Sequence, residues 1–247
     1  MAYKTNLNYS PNFDPKKRNF KQIKFIIFHY TGMNSEIAAL KRLTNNKSQV
    51  SCHYLIKKNG EIIKLVPDLY IAWHAGKSKW KQYESLNKNS IGIEITNPGH
   101  SFGYKKFPKI QILSLIKLTK FLISKYQINK KNILGHSDIA PDRKKDPGEK
   151  FPWKYLSKNK IGYWHDIDQE TLIQNRMLEI NNIQKIIFYK NIYKIGYSKK
   201  IPKNFKDKKN NYLIKIIKAF QRRFRPEIIN GKIDKECLII SQNLVKK

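Results

Sequence analysis

Two histidines in this sequence of 247 residues stand where a predicted strand ends. His29 lies near the end of the apolar run 23–31, and His136 follows the short apolar segment 133–134. The loop after His136 contains prolines, a glycine and several ionisable residues, a composition typical of loops that carry functional groups. Two imidazoles and one carboxylate, with a fourth position left to water, form a common catalytic zinc site. These residue types indicate metal-assisted hydrolysis, while a structural histidine on a strand stays the commoner alternative.

Two further side chains have the chemistry that such a site needs. Zinc lowers the pKa of bound water to about 7, and Glu94, on the polar face of the predicted strand 90–96, can accept a proton from that water. Lys144, in the loop after His136, can stabilise the negative oxygen that forms when a carbonyl is attacked. Because a glutamate that faces out of a strand is usually only solvated, these roles stay open on the residues alone.

Local patterns predict the elements that position these residues. Apolar runs predict buried strands, Asn59 followed by Gly60 is a strong hairpin signal, and Pro108 opens an amphipathic helical pattern. The predicted strands are 23–31, 90–96 and 133–134, and the predicted hairpin is 53–67. One predicted helix is capped by Asn34 or Ser35 and ends near Leu43, and a second begins at 108. These elements predict an α+β fold with a mixed central β-sheet flanked by helices.

The pattern of the sequence changes after His165. Acidic residues at 166, 168 and 170 predict the start of a helix, and the segment 211–225 places its apolar residues on one stripe. Asp234 can cap a last helix through Leu244. We therefore predict two domains, 1–167 with the candidate chemistry and 168–247 as a small all-α module of three helices.

Five segments of the N-terminal part carry a family resemblance. In order, they are FHYTG (28–32), VSCHYLI (50–56), AWHAG (72–76), NSIGIEI (89–95) and GHSDIAPDRKKDPGEKFPW (135–153). Over about residues 20–156, the chain resembles the zinc-dependent N-acetylmuramoyl-L-alanine amidases of the AmpD/AmiD type, relatives of the peptidoglycan recognition proteins. The resemblance implies one zinc ion held by His29, His136 and Asp146, with Glu94 as the general base and Lys144 as the group that stabilises the oxyanion.

The resemblance also implies an activity. It predicts hydrolysis of the amide bond between N-acetylmuramic acid and L-alanine in peptidoglycan or (anhydro-)muropeptides, in cell-wall turnover or recycling. The alternatives are a catalytically silent peptidoglycan-recognition module and a phage-type lysin. The C-terminal segments AFQRRFRP (219–226) and INGKID (229–234) are similar to the peptidoglycan-binding domain of AmiD-type enzymes. A helical bundle that only packs on the amidase domain is the alternative for this part.

The other histidines have weaker signals. His74, which lies next to Trp73 in the AWHAG segment, is predicted to bind substrate together with that tryptophan. His53 is predicted to be a core residue beside the hairpin. His100 and His165 lack any motif and are expected on the surface.

Charged residues in the loop and the first cysteine are expected to have structural roles. Asp138, Asp142 and Arg143 are predicted to brace the loop rather than to bind metal. Cys52 is interpreted as a small buried apolar residue and not as a nucleophile.

The chain carries 50 lysines and arginines against 18 acidic residues, a formal charge of +32. This excess is spread along the chain and only seven of the basic residues are arginines, which argues against specific nucleic-acid binding. The positive field suits an anionic substrate such as a cell-wall polymer. No apolar stretch is long enough for a membrane span, and no signal peptide is recognisable. We therefore expect a cytoplasmic protein, with the periplasm or cell envelope as the alternative, and favour a monomer.

Overall fold

The computed structural model describes residues 5–197 and 211–247. Its strands in these residues are β1 (Asn6–Leu7), β2 (Phe13–Asp14), β3 (Phe25–Tyr30), β4 (Tyr54–Ile56), β5 (Ile62–Lys64), β6 (Ile71–Ala72), β7 (Lys79–Trp80), β8 (Tyr83–Glu84), β9 (Ser90–Ile95) and β10 (Ile133–Gly135). Six of them form one sheet in the order β1-β5-β4-β9-β3-β10. Its neighbours are parallel except for the predicted hairpin of β4 and β5. The predicted mixed sheet is confirmed.

The helices in the described residues are α1 (Glu36–Thr44), α2 (Lys109–Tyr126), α3 (His136–Ile139), α4 (Trp153–Lys158), α5 (Gln169–Gln174), α6 (Asn182–Ile195), α7 (Asn211–Phe224) and α8 (Lys235–Lys246). Helix α1 begins as predicted, because the Ser35 hydroxyl accepts a hydrogen bond from the backbone N–H of Ala38 at 3.0 Å. Helix α2 begins directly after Pro108. Within 5–197 and 211–247, none of the helices combines the length and the apolar character that crossing a bilayer requires.

Strand β3, which lies between β9 and β10, is buried on both faces, as its unbroken apolar run predicts. Ile26 and Phe28 belong to an apolar cluster that includes Leu115, Leu118 and Leu122 of helix α2. Successive side chains of a strand point to opposite faces, so the intervening residues of β3 face the other side of the sheet. Helix α2 therefore covers one face only.

The C-terminal helices cover the second face. Phe25 and Ile27 of β3 lie in one apolar cluster with Phe188 of α6, Ile217 of α7 and Leu238 of α8. The cluster is continuous across position 167, so the sheet and the helices share a core. The division into domains 1–167 and 168–247 stays a prediction.

The C-terminal part is all-α in its described residues, as predicted. Asp168 caps α5, since its carboxylate accepts the backbone N–H of Thr171 at 2.8 Å. Helices α6, α7 and α8 are the three longer helices of this part. Helix α6 is not among the elements predicted above, although its buried Phe188, Ile192 and Ile195 recur at helical spacing.

Candidate metal centre

Neighbouring parallel strands bring the candidate metal ligands to one edge of the sheet. His29 is the fifth residue of β3, and His136 follows β10 directly as the first residue of α3. In the register of these strands, Gly135 pairs with Phe28. His29 and His136 are consequently neighbours at the carboxyl ends of β3 and β10, although 107 positions separate them in sequence.

Three donor atoms converge at this edge. Nδ1 of His29 lies 2.9 Å from Nδ1 of His136 and 3.1 Å from Oδ2 of Asp146, and the last two atoms are 3.0 Å apart. All three side chains are more than nine-tenths buried. Neighbouring donors of a tetrahedral zinc lie about 3.4 Å apart when metal–ligand distances are about 2.1 Å. The three residues therefore fit a zinc ion with a fourth position open.

Hydrogen bonds behind His136 direct its Nδ1 atom into this cluster. Its Nε2 atom lies 3.1 Å from the backbone oxygen of Ala75, which can only accept, so Nε2 carries the proton. The backbone N–H of Ser137 donates to the carbonyl of Asp146 at 2.8 Å and thereby ties the third ligand to α3. Such partners of the second ring nitrogen fix the orientation of a metal-binding histidine.

A relay of hydrogen bonds orients His29 in the same way. The Ser90 hydroxyl donates to the carbonyl of Leu86 at 2.6 Å and therefore accepts from Nε2–H of His74 at 3.2 Å. Nδ1 of His74 is then an acceptor and receives the Nε2–H of His29 at 3.0 Å. His29 consequently presents a lone pair on Nδ1. Both ring nitrogens of His74 are engaged in this relay.

The electrostatics of the cluster favour the protonation states that a metal requires. Burial, together with the neighbouring His136, lowers the pKa of His29 to about 4. Burial by itself would raise the pKa of Asp146, but His136 and His29 outweigh it and hold this pKa well below its usual range. At neutral pH, His29 is therefore neutral and Asp146 is ionised.

Glu94 lies beside this cluster, because it pairs with His29 in the register of β9 and β3. Its Oε2 atom is buried and has no hydrogen-bond partner among the described residues. Burial and the charge of Asp146 raise the pKa of Glu94 to about 8, against an opposing effect of Lys144. A buried carboxylate oxygen without a partner calls for an explanation, and a water or metal ion at this edge would supply one.

A cavity of about 650 Å³ opens at this edge of the sheet. Its wall includes six of the seven site residues predicted from the sequence, namely His29, His74, Glu94, His136, Lys144 and Asp146. Trp73, the seventh, is not part of the wall, and its side chain is 36% exposed.

The two histidines that lack a motif differ in exposure. His100 was expected on the surface, and it lies in the cavity wall with its side chain 25% exposed, where Nδ1 accepts the hydroxyl of Tyr30 at 2.8 Å and Nε2 donates to Glu149 at 3.0 Å. His165 was also expected on the surface, but only 5% of it is exposed. The contacts of His100 with Tyr30 and Glu149 join segments that are 70 and 49 positions apart in the sequence. Tyr30 was not proposed as a site residue, although it follows His29 in the FHYTG segment.

Three predictions of structural roles are confirmed. His53 is fully buried, and its Nδ1 atom accepts the backbone N–H of Gly92 at 3.0 Å. Cys52 is fully buried as well, and burial raises the pKa of its thiol well above the usual value. Asp138 braces its loop by accepting the backbone N–H of Gly135 at 2.8 Å.

Known proteins resemble this chain in sequence and in fold. Residues 19–149 match the family model described as N-acetylmuramoyl-L-alanine amidase. The chain is 35% identical over 240 residues to the N-acetylmuramoyl-L-alanine amidase AmiD of Escherichia coli K12. The aligned region covers 92% of this chain and 84% of AmiD. The predicted family resemblance is confirmed.

Two solved structures extend the similarity to nearly the whole chain. One is the complex of E. coli AmiD with the substrate anhydro-N-acetylmuramic acid-L-Ala-D-gamma-Glu-L-Lys, with a TM-score of 0.77, 33% identity and coverage of 94% of this chain and 92% of that one. The other is AmpDh3 from Pseudomonas aeruginosa in complex with anhydromuramic pentapeptide, with a TM-score of 0.75, 31% identity and coverage of 98% and 94%. The similarity includes the C-terminal helices.

Proposed function

The chain belongs to the family of N-acetylmuramoyl-L-alanine amidases, and on this premise we propose that it hydrolyses the amide bond between N-acetylmuramic acid and L-alanine in muropeptides. The observation that carries the proposal is the convergence of donor atoms from His29, His136 and Asp146. Glu94 and Lys144 border the same cavity. A module that only recognises peptidoglycan needs neither a buried metal centre nor a buried general base.

One zinc ion would be held by the two imidazoles and the carboxylate of this cluster. This donor set suits zinc, and the hydrogen bonds to Ala75 and His74 leave both ligand nitrogens with free lone pairs. When bound, zinc polarises a carbonyl as a Lewis acid and lowers the pKa of a water molecule to about 7.

Glu94 has the position and the environment of a general base. It accepts a proton from the attacking water and returns it to the nitrogen of L-alanine as the C–N bond breaks. In the metal-free protein, burial and the charge of Asp146 raise the pKa of this carboxyl to about 8, and a bound dication would favour the ionised form that accepts the proton. The ammonium group of Lys144, in the cavity wall, stabilises the negative charge that develops on the carbonyl oxygen.

The shape and charge of the cavity suit a muropeptide. Its wall also contains Arg42, Arg143 and Lys145, and cationic groups attract the carboxylates of a stem peptide. The complexes of AmiD and AmpDh3 contain ligands of this class. His74 would contact substrate through its ring only, because both of its nitrogens are engaged, and Trp73 would lie at the rim.

Three further predictions stay proposals. The C-terminal helices would bind peptidoglycan, which co-sedimentation of the full chain with insoluble sacculi tests. A cytoplasmic location is tested by cell fractionation, and a monomeric state by light scattering.

Mass spectrometry of a defined substrate tests the proposed reaction. The purified protein is incubated with soluble muropeptides that do or do not carry the 1,6-anhydro end, before and after chelation of metal. We expect release of the free stem peptide beginning at L-alanine, loss of this activity with chelator and its return with zinc. Glu94→Gln serves as a control, since it keeps the metal ligands and removes the base.

Two outcomes would contradict the proposal. Intact substrate in every zinc-replete sample would favour the recognition module. Activity that survives exhaustive chelation would exclude the metal centre from the reaction.

A further inference from the structure

A buried ion pair joins the C-terminal helices to the loop that carries a metal ligand. Nη1 of Arg223, in the last turn of α7, donates to Oδ2 of Asp138 at 2.5 Å, and Nη2 donates to the carbonyl of Ile133 at 3.0 Å. Arg223 and Asp138 are 2% and 1% exposed. The Tyr197 hydroxyl, just beyond α6, donates to the other carboxylate oxygen of Asp138.

The same carboxylate oxygen holds the backbone that precedes the metal ligand. Oδ2 of Asp138 accepts the backbone N–H of Gly135 at 2.8 Å. Gly135 is the N-cap of α3, whose first residue is His136. Since α3 contains only four residues, this bond and the bond from Ser137 to Asp146 hold much of its geometry. The position of Asp138 therefore sets the position of His136.

Arg223 is itself held firmly in place. Its guanidinium lies 4.1 Å from the ring centroid of Trp153 and 5.0 Å from that of Phe224. In the described residues, Asp138 has no other ion-pair partner within 4.0 Å. Arg223 thus links a rigid aromatic environment to the loop at the metal centre.

The preceding residue of α7 reaches the same region. Nε of Arg222 lies 3.9 Å from Oε2 of Glu149, which accepts Nε2–H of His100 in the cavity wall. The last turn of α7 therefore contacts both the α3 segment, through Arg223, and a residue that supports the cavity wall, through Arg222.

We infer that Arg223 is a positioning residue for the metal centre: through Asp138 it fixes the orientation of His136, so that the affinity for metal depends on the C-terminal helices. The inference rests on the proposed metal centre. It gives these helices a role in the chemistry in addition to any binding of peptidoglycan.

Zinc affinity, measured in the full-length protein by competition with a chromogenic chelator, tests this inference. In Arg223→Met we expect the affinity to fall about tenfold, as when partners behind a metal ligand are removed. The loss of a positive charge would by itself strengthen the binding of a dication. A weaker affinity therefore reports the orientation of His136 rather than a change of charge.

Arg225→Met is the matched control. Arg225 is fully buried two positions further on, but it pairs with Asp234 and Glu236 of the helical part, at 2.7 and 3.4 Å. We expect this variant to lower the melting temperature and to leave zinc affinity within twofold of the parent. Arg223→Lys, which keeps the charge but not the two-pronged contact, should fall between parent and Arg223→Met.

The possible outcomes separate the two proposals. A parent protein that binds no zinc would overturn the proposed metal centre, and this inference with it. If the parent binds zinc and Arg223→Met binds it with the same affinity, this inference alone is overturned. If Arg223→Met does not fold, Arg223→Lys and Tyr197→Phe decide: a loss of affinity of more than twofold in either variant supports the inference, and affinity within twofold of the parent in both overturns it.

Discussion

Two buried clusters of charged side chains differ in how their charges are balanced. In the C-terminal helices, Arg225 lies 2.7 Å from Asp234, and Arg176 lies 2.7 Å from Glu236. Two guanidinium groups thus face two buried carboxylates, and the half-exposed Glu227 lies 3.9 Å from Arg176 at the edge of the set. We call this set the helical cluster. It needs no further ion, and its groups serve the stability of the fold.

At the metal centre the protein does not balance its own charges. The ionised carboxylate of Asp146 lies beside His29, which is neutral at pH 7 because its pKa is about 4, and the raised pKa of Glu94, about 8, keeps that carboxyl mostly protonated in the metal-free protein. In the residues that the structure describes, Lys144 forms no ion pair within 4.0 Å with either of them. A dication would complete this cluster. A buried charge that lacks an opposite charge beside it therefore indicates function more clearly than a buried charge that is paired.

The largest expected effect is the loss of turnover in Glu94→Gln. Removal of a general base costs about 10³-fold in kcat/KM, whereas the melting temperature should stay the same or rise, since a buried carboxylate without a partner is removed. Muropeptide assays, elemental analysis for zinc and thermal melts check this. Activity close to that of the parent would remove Glu94 from the mechanism.

The helical cluster should respond in the opposite way. In Glu236→Gln, Arg176 and Arg225 lose a buried partner, and we expect the free energy of unfolding to fall by about 3 kcal/mol. The turnover of the folded fraction should not change. Denaturant unfolding and kinetics at low temperature measure the two quantities. A large loss of turnover without a loss of stability would mean that the clusters are not separate.

The pH dependence of stability is an effect specific to the metal centre, and it is smaller when expressed per pH unit. In the metal-free protein, the pKa of Glu94 is about 8, against 4.5 for an ordinary glutamate. Between these values the folded protein binds a proton that the unfolded chain releases, so stability falls as pH rises, by at most about 1.4 kcal/mol per pH unit. The difference between parent and Glu94→Gln should show this slope in denaturant unfolding, and a difference that does not vary with pH would contradict it.

The smallest effect is expected at the rim of the cavity. Trp73 belongs to neither cluster and is not part of the cavity wall. In Trp73→Ala we therefore expect KM to change by no more than about threefold, with kcat unaffected. Steady-state kinetics on a muropeptide checks this, and a larger rise in KM would extend the binding surface to this tryptophan.

Much of the fold follows from short-range signals in the sequence. The apolar run of β3, the turn at Asn59 and Gly60 and the proline before α2 each specify the conformation of neighbouring residues. The same signals place His29 and His136 at the ends of strands. Such patterns are legible because backbone hydrogen bonding and the spacing of apolar side chains act over a few residues.

The sequence by itself determined the family, the main strands of the sheet and the candidate metal ligands that the family resemblance implies, but it did not reveal helix α6. Only the tertiary structure decided which ring nitrogens meet, that His100 lines the cavity and His165 is buried, and that Arg223 holds Asp138 from 85 positions away. The reason is physical: the ring nitrogens meet because distant strands pair in the sheet, and Arg223 reaches Asp138 because the C-terminal helices pack over the second face of that sheet. No local pattern encodes a distance between segments that meet only when the shared core is packed.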